Sequence, residues 1–138
     1  MLKVRPANKK DDPQILKILK EADLFYPSLV LKDFWVAEKA GRIVGTVKFE
    51  EHKHFFFLSS LAITEKERKK GAAAFLLNQL LGSAKKKVYL YTIQPEFFKK
   101  FGFKTTPPPA FLPSKYLLEC EQCVPEKCVC MLRLPDAS

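Results

Sequence analysis

Between Leu61 and Leu81 the chain reads L-A-I-T-E-K-E-R-K-K-G-A-A-A-F-L-L-N-Q-L-L, a run of residue types suited to holding a bulky anion. An apolar strand enters a short charged loop, R-K-K-G-A-A, and a helix without charge leaves it. Backbone N–H groups of the loop and of the helix's first turn converge on one place, where the helix dipole adds partial positive charge. Gly71 is the residue type that lets an anion approach the backbone, since a Cβ there would stand in its way. Arg68, Lys69 and Lys70 add fixed charge. The Walker pattern is absent: three alanines follow Gly71 where that loop needs Lys and Ser/Thr. The same letters also fit a solvated turn before an amphipathic helix.

A second cluster is chemical in type. Cys120, Cys123, Cys128 and Cys130 are the only cysteines and fall within eleven residues as C-x2-C-x4-C-x-C. Reduced thiols, a metal site and a disulfide all fit that spacing, although the four-residue gap is shorter than in zinc fingers. Glu50, Glu51, His52 and His54 form a third group, able in type to take a proton from an amine. They also fit the surface of a hairpin turn.

The elements that must position these groups follow from pattern and turn signals. Residues 2 to 5 alternate as a first strand. Asp12 offers an N-cap, Pro13 suits the first helical position, and Ile15, Leu16, Ile18, Leu19 and Ala22 continue a helix from about 13 to 22. The segment from Asp23 to Lys32, with Phe25, Tyr26 and Pro27, reads as a loop or broken helix, suited to a lid or to packing. Phe34 to Glu38 and Arg42 to Glu50 flank Ala40-Gly41 as a hairpin. Strands follow at Phe55 to Ile63 and Lys87 to Thr92, with a helix from about 71 to 82 between them. Pro95 opens a short helix with Gly102 as its C-cap candidate. Pro107 to Pro109 interrupt regular structure, and last strands are expected at about Lys115 to Cys120 and Cys128 to Leu134. The order β-α-β-β-β-α-β-α-β-β specifies a mixed α/β (α+β) domain with a largely antiparallel sheet.

Length and composition bound the rest. The 138 residues, 47% hydrophobic with twelve phenylalanines, suit a single domain over 1–138 with one core. No run of about 18 apolar residues predicts a membrane span, and the N-terminus lacks a signal peptide's apolar core, so a cytoplasmic protein is expected. Twenty-four Lys+Arg against 15 Asp+Glu give a net charge of +9, which attracts phosphates of any kind. The lysines are scattered rather than interleaved with aromatics on one face, which argues against specific nucleic-acid binding.

Arg68, Gly71 and Ala73 fit R/Q-x-x-G-x-G/A after a strand ending L-A-I, and this resembles the acetyl-coenzyme A signature of the GNAT N-acetyltransferases. Phe97 to Phe103, F-F-K-K-F-G-F, is similar to that family's Y-x-x-x-G-F helix. S-L-A-I, the T-I-Q-P-E-F-F segment and the C-V-P-E-K-C-V-C-M tail look like the amino-acid branch, related to N-acetylglutamate synthase and to enzymes that acetylate arsinothricin and phosphinothricin. The resemblance implies the GNAT fold, acetyl-CoA as cofactor and a small-molecule amine as acceptor. It implies that Leu61, Ala62 and Ile63 pair with the pantetheine arm, that the N–H of Leu61 or Ile63 faces the oxyanion, and that Arg68, Lys69, Lys70, Gly71, Ala72 and Ala73 cradle the pyrophosphate.

Catalytic residues are less plainly marked. Where many members carry a proton-donating tyrosine stands Phe98, which cannot donate and reads as core, leaving Tyr89, Tyr91 or a water for that task. Ser59 and Ser60 point to opposite faces by the two-residue period, so one of them is expected to line the acetyl site with Thr92. Arg5, Lys32, Arg42 and Lys48 are the candidates for an acceptor carboxylate. Relatives carry tail cysteines with a Cys-Met pair like Cys130-Met131, which implies packing for some. Missing the tyrosine and with G-A-A for the commoner G-x-G, a coenzyme-binding regulatory module is the alternative to an enzyme. A basic nucleic-acid-binding domain rests on charge alone, and either a monomer or a homodimer is compatible with the exposed strand edges.

Overall fold

The computed structural model describes residues 1–25, 30–112 and 128–135. β1 (Leu2–Pro6), α1 (Asp12–Glu21), β2 (Phe34–Lys39), β3 (Arg42–Glu51), β4 (Phe55–Ile63), α2 (Ala72–Ser83), β5 (Lys87–Thr92), α3 (Pro95–Lys99), β6 (Lys104–Thr105) and β7 (Val129–Arg133) follow in the expected order of types. Short 3-10 turns at Lys9–Asp11 and Glu65–Glu67 supplement them. The strands form one sheet in the order β1-β2-β3-β4-β5-β7-β6, antiparallel except where β4 meets β5.

Two helices sandwich the middle of this sheet. α1 puts Ile15, Ile18 and Leu19 against Phe34, Val36 and Ile43. On the other face α2 buries Leu76, Leu77, Leu80 and Leu81 against Val47, Phe49 and Leu58. β3 is consequently buried over Ile43 to Phe49 rather than alternating, because both its faces are covered. Ala40 (φ +52°) and Gly41 (φ +78°) both take the left-handed conformation that a two-residue hairpin turn needs.

One expectation changes. Asp12 is the first residue of α1 and not its cap; the capping box lies upstream, where Asn8 accepts from Lys10 N–H and Asp11 accepts from Asn8 N–H. The short strand β6 pairs Lys104 and Thr105 with Leu132 and Met131 directly after α3. The expected strand from Lys115 to Cys120 lies outside the described residues.

Asp11 is also the hub of an ion network. Arg5 donates to both Asp11 oxygens, at 2.7 and 2.9 Å, and to Glu38 at 3.0 and 3.1 Å. Hydrogen bonding from the Arg5 guanidinium holds the Asp11 carboxyl below its ordinary range. A carboxyl depressed in the fold stabilises fully above its unfolded pKa, near 3.9, and loses that contribution as pH falls through the lower folded value. Asp11→Asn is therefore expected to cost about 2 kcal/mol in urea unfolding at pH 7. The gap from wild type should narrow as pH falls below the ordinary carboxyl value of about 3.9; a gap that persists in strong acid would show that the loss is not ionic.

Candidate active site

β4 carries one residue more than its partner where a cavity opens. Thr46 lies opposite Ala62 and Lys48 opposite Ser59, so Val47 faces the pair Ser60 and Leu61. Ser60 adopts φ +55° at this bulge, and the fully buried Thr46 donates its hydroxyl to the Ser60 carbonyl at 3.2 Å. The inserted residue breaks the two-residue alternation. Ser59 and Ser60 lie side by side in the wall of a cavity of about 280 Å³.

That cavity lies where β4 and β5 part. The parallel pairing holds only from Phe55 opposite Lys87 to Phe57 opposite Tyr89. Beyond it, Leu58 to Leu61 form one wall, and Leu90 to Gln94 with Phe97 and Phe98 form the other. Backbone direction on the β4 side follows from one bond. Thr64 N–H donates to the Val44 carbonyl of β3 at 2.8 Å, so by alternation the N–H and C=O groups of Ile63 face away from β3, toward the parted side. Arg68 agrees, since its Nε reaches the Ile63 carbonyl at 3.1 Å. A strand edge of this kind, with no partner strand among the described residues, accepts an extended chain as an added strand.

The anion loop sits at the end of the same strand. Lys69 (φ +66°) and Gly71 (φ +84°) are both left-handed, and Gly71 is the N-cap of α2, with no side chain capping the helix. Arg68, Lys69, Lys70 and Gly71 are exposed, Ala72 is buried and Ala73 half-buried. A Cβ on Gly71 would meet no protein atom within 4 Å and would project into open space, as a cradle for an anion requires. Parted strands, free edge and left-handed loop thus lie along one path at the C-terminal end of β4.

Residues 31–105 match the profile of the acetyltransferase (GNAT) domain. The chain belongs to the GNAT acetyltransferases. The family uses acyl-coenzyme A, and the free β4 edge, the bulge and the open loop at Gly71 fit that group. No curated protein matches the chain in sequence. Among solved structures it is similar to N-acetylglutamate synthase from Neisseria gonorrhoeae, complexed with coenzyme A and N-acetyl-glutamate, with a TM-score of 0.79 and 16% identity over 99% of this chain and 36% of that one. This acetyltransferase thus spans about a third of the length of the gonococcal synthase. It is also similar to Ard1 from Thermoplasma volcanium (TM-score 0.76, 19% identity, 99% of each chain). The ribosomal-protein-S18-alanine N-acetyltransferase from Escherichia coli gives a TM-score of 0.72 at 13% identity, over 100% of this chain and 96% of that one. No helix among the described residues is long and apolar enough to cross a membrane.

Within the acetyltransferase's cavity, Tyr91 and Cys128 are the ionisable side chains among the described lining residues. Burial, and then the neighbouring Cys130 and Cys128 thiols, raise the Tyr91 phenol above its ordinary pKa. The Thr92 hydroxyl accepts the Gln94 N–H at 2.9 Å, which turns the chain from β5 into α3. Phe98 is buried edge-on against Phe97 and Phe103 and also lines the cavity, so it packs and cannot donate. Tyr89 packs edge-on against Phe55 and Phe111, outside the cavity lining.

Glu50, Glu51, His52 and His54 are not brought to the cavity. They occupy the β3–β4 turn and its approach, where Glu51 pairs with Lys86 at 2.8 Å and His52 stacks on Phe55. Of the four cations, Arg5 is committed to Asp11 and Glu38, while Lys32 and Arg42 are exposed. Lys48 is buried, 3.3 Å from Glu50, and opposite Ser59 on the sheet face shared by Phe57 and Tyr91.

A second cavity, of about 350 Å³, adjoins the first through Tyr91 and Cys128, and Thr105 to Pro108, Val129 and Cys130 complete it. The sequence marked this stretch only as irregular; the proline run was the available signal. Cys128 and Cys130 are buried thiols, and burial pushes Cys130 up to about 11. Cys120 and Cys123 lie outside the described residues, and no cluster of three metal-ligating side chains occurs among the described ones. Leu24 lines the first cavity and Phe25 lies beneath the Lys20 ammonium, whereas Tyr26 and Pro27 are outside the described residues.

Proposed function

We propose that this acetyltransferase moves an acetyl group from acetyl-coenzyme A to the amine of a small amino acid or analogue, glutamate-like or arsinothricin-like, as one domain over residues 1–138. The observation that carries the reading is the parting of β4 from β5 beyond Phe57, beside the bulge at Ser60 and Leu61. Bound acetyl-coenzyme A supplies an activated acyl carbonyl. Leu61, Ala62 and Ile63 offer the edge along which its extended arm lies, and the Leu61 and Ile63 N–H groups are donors to the carbonyl oxygen. Loss of one such donor costs about 2.7–4 kcal/mol. Arg68, Lys69, Lys70, Gly71, Ala72 and Ala73 form the pyrophosphate cradle.

On the acceptor side, Ser59 and Ser60 orient the amine, Thr92 shapes the wall, and the second cavity takes the acceptor's side group. Lys48 serves the α-carboxylate, because it alone of the four candidate cations is buried on the face shared with Ser59. Ser59→Ala combined with Ser60→Ala is expected to lower kcat/KM about tenfold, the equivalent of one hydrogen bond of about 1.4 kcal/mol. An unaltered value would remove both serines from the site.

Coenzyme A release tests the reading with a panel of free amino acids, the same amino acids as α-amides, and short peptides. Turnover of free amino acids with KM raised for the amides is the expected result. Turnover confined to peptide N-termini would overturn the acceptor class. Thermal stabilisation by acetyl-coenzyme A with no release on any amine would overturn the reading altogether.

A further inference from the structure

Lys39 ends β2, and Glu67 lies 28 residues on in the loop between β4 and α2; the Lys39 Nζ stands 3.1 and 3.4 Å from the two Glu67 carboxylate oxygens. The carboxylate is the inner partner, its side chain 12% exposed against 43% for the lysine. Glu67 is also woven into the loop's backbone. Its N–H donates to the Thr64 carbonyl at 3.0 Å, and its carbonyl accepts the Lys70 N–H at 3.3 Å. A negative charge is therefore fixed one residue before Arg68 and three before Lys70, among the groups assigned to an anion. Left unneutralised, it would repel the ligand that those residues attract.

We infer that Lys39 is a positioning residue for coenzyme binding: it neutralises Glu67 and pins the anion loop to the end of β2. The loop is then tied at two points, by Lys39 to Glu67 and by Arg68 Nε to the Ile63 carbonyl. A half-exposed pair adds little to folding stability. Its effect falls instead on a ligand with several negative charges, each of which would feel the uncovered carboxylate.

The inference rests on the loop being the pyrophosphate cradle, and calorimetry of coenzyme A binding with steady-state kinetics separates the two. Lys39→Met is expected to weaken coenzyme affinity about five- to tenfold, with kcat at saturating acetyl-coenzyme A and the melting temperature unchanged. Lys39→Met combined with Glu67→Gln should return affinity to near wild type, because the charge that needed covering is gone. A double variant as weak as Lys39→Met alone, or Lys39→Met with unaltered affinity, overturns the inference. The pair Lys69→Ala with Lys70→Ala reports on the cradle itself: unchanged affinity there overturns both readings, whereas weakened affinity there beside an unaffected Lys39→Met overturns only this one.

Discussion

Tyr91→Phe is expected to lower kcat about 10²–10⁴-fold, the range that a positioned proton donor contributes, while leaving coenzyme A affinity near wild type. Collapse of a thioester after amine attack releases a sulfur that is best protonated as it leaves. Phe98 has no proton to give and is held edge-on by Phe97 and Phe103. Tyr91 lies across the cavity from Ser59 and Ser60 and lines both chambers. Its ring meets Phe57 edge-on, with centroids 6.0 Å apart.

The sign of the pKa shift suits a donor. Burial first, and then the Cys130 and Cys128 thiols, disfavour the phenolate, so Tyr91 keeps its proton above the ordinary phenol value of about 10. Activity should consequently show no loss on the alkaline side below about pH 10 that is traceable to this group. A Tyr91→Phe enzyme within twofold of wild-type kcat would assign the proton to a water instead. Cys128→Ser, measured beside it, separates the phenol from the other ionisable group in the lining.

The sequence exposed the fold through features that are local in the chain. Ala40-Gly41 marks its hairpin because two left-handed residues are needed there, and the α2 pattern survives because one helix face meets one sheet face. The bulge at Ser60 is illegible by composition: one added residue in an apolar strand alters no period that a short window can measure, yet it shifts the register in the wall of the cavity. β6, two residues long, has no period to read. Arg5 seemed available to a substrate because its partners are remote in sequence, Asp11 six residues away and Glu38 thirty-three. Only the register of β1 on β2, which sets Arg5 opposite Val36, brings that guanidinium within reach of the neighbouring Glu38. The loop at Gly71 was legible because its chemistry and its backbone requirement coincide in a few adjacent residues.

That coincidence makes Gly71 the second position of large expected effect. At φ +84° a residue with a Cβ is strained by about 1–2 kcal/mol, and a β-branched one by more. The side chain would also project into the open space beside the α2 N-terminus, since no protein atom lies within 4 Å of its Cβ. Gly71→Ala is therefore expected to raise the KM for acetyl-coenzyme A about tenfold, and Gly71→Val about a hundredfold, with kcat at saturation little changed. The graded series distinguishes a blocked cradle from a merely weakened fold. Strain alone lowers the melting temperature of both variants but leaves the folded enzyme's affinity intact, whereas occupation of the cradle raises KM in proportion to side-chain bulk. A Gly71→Val enzyme with wild-type KM would move the pyrophosphate away from this loop, and would leave Lys69 and Lys70 as surface charges before a helix.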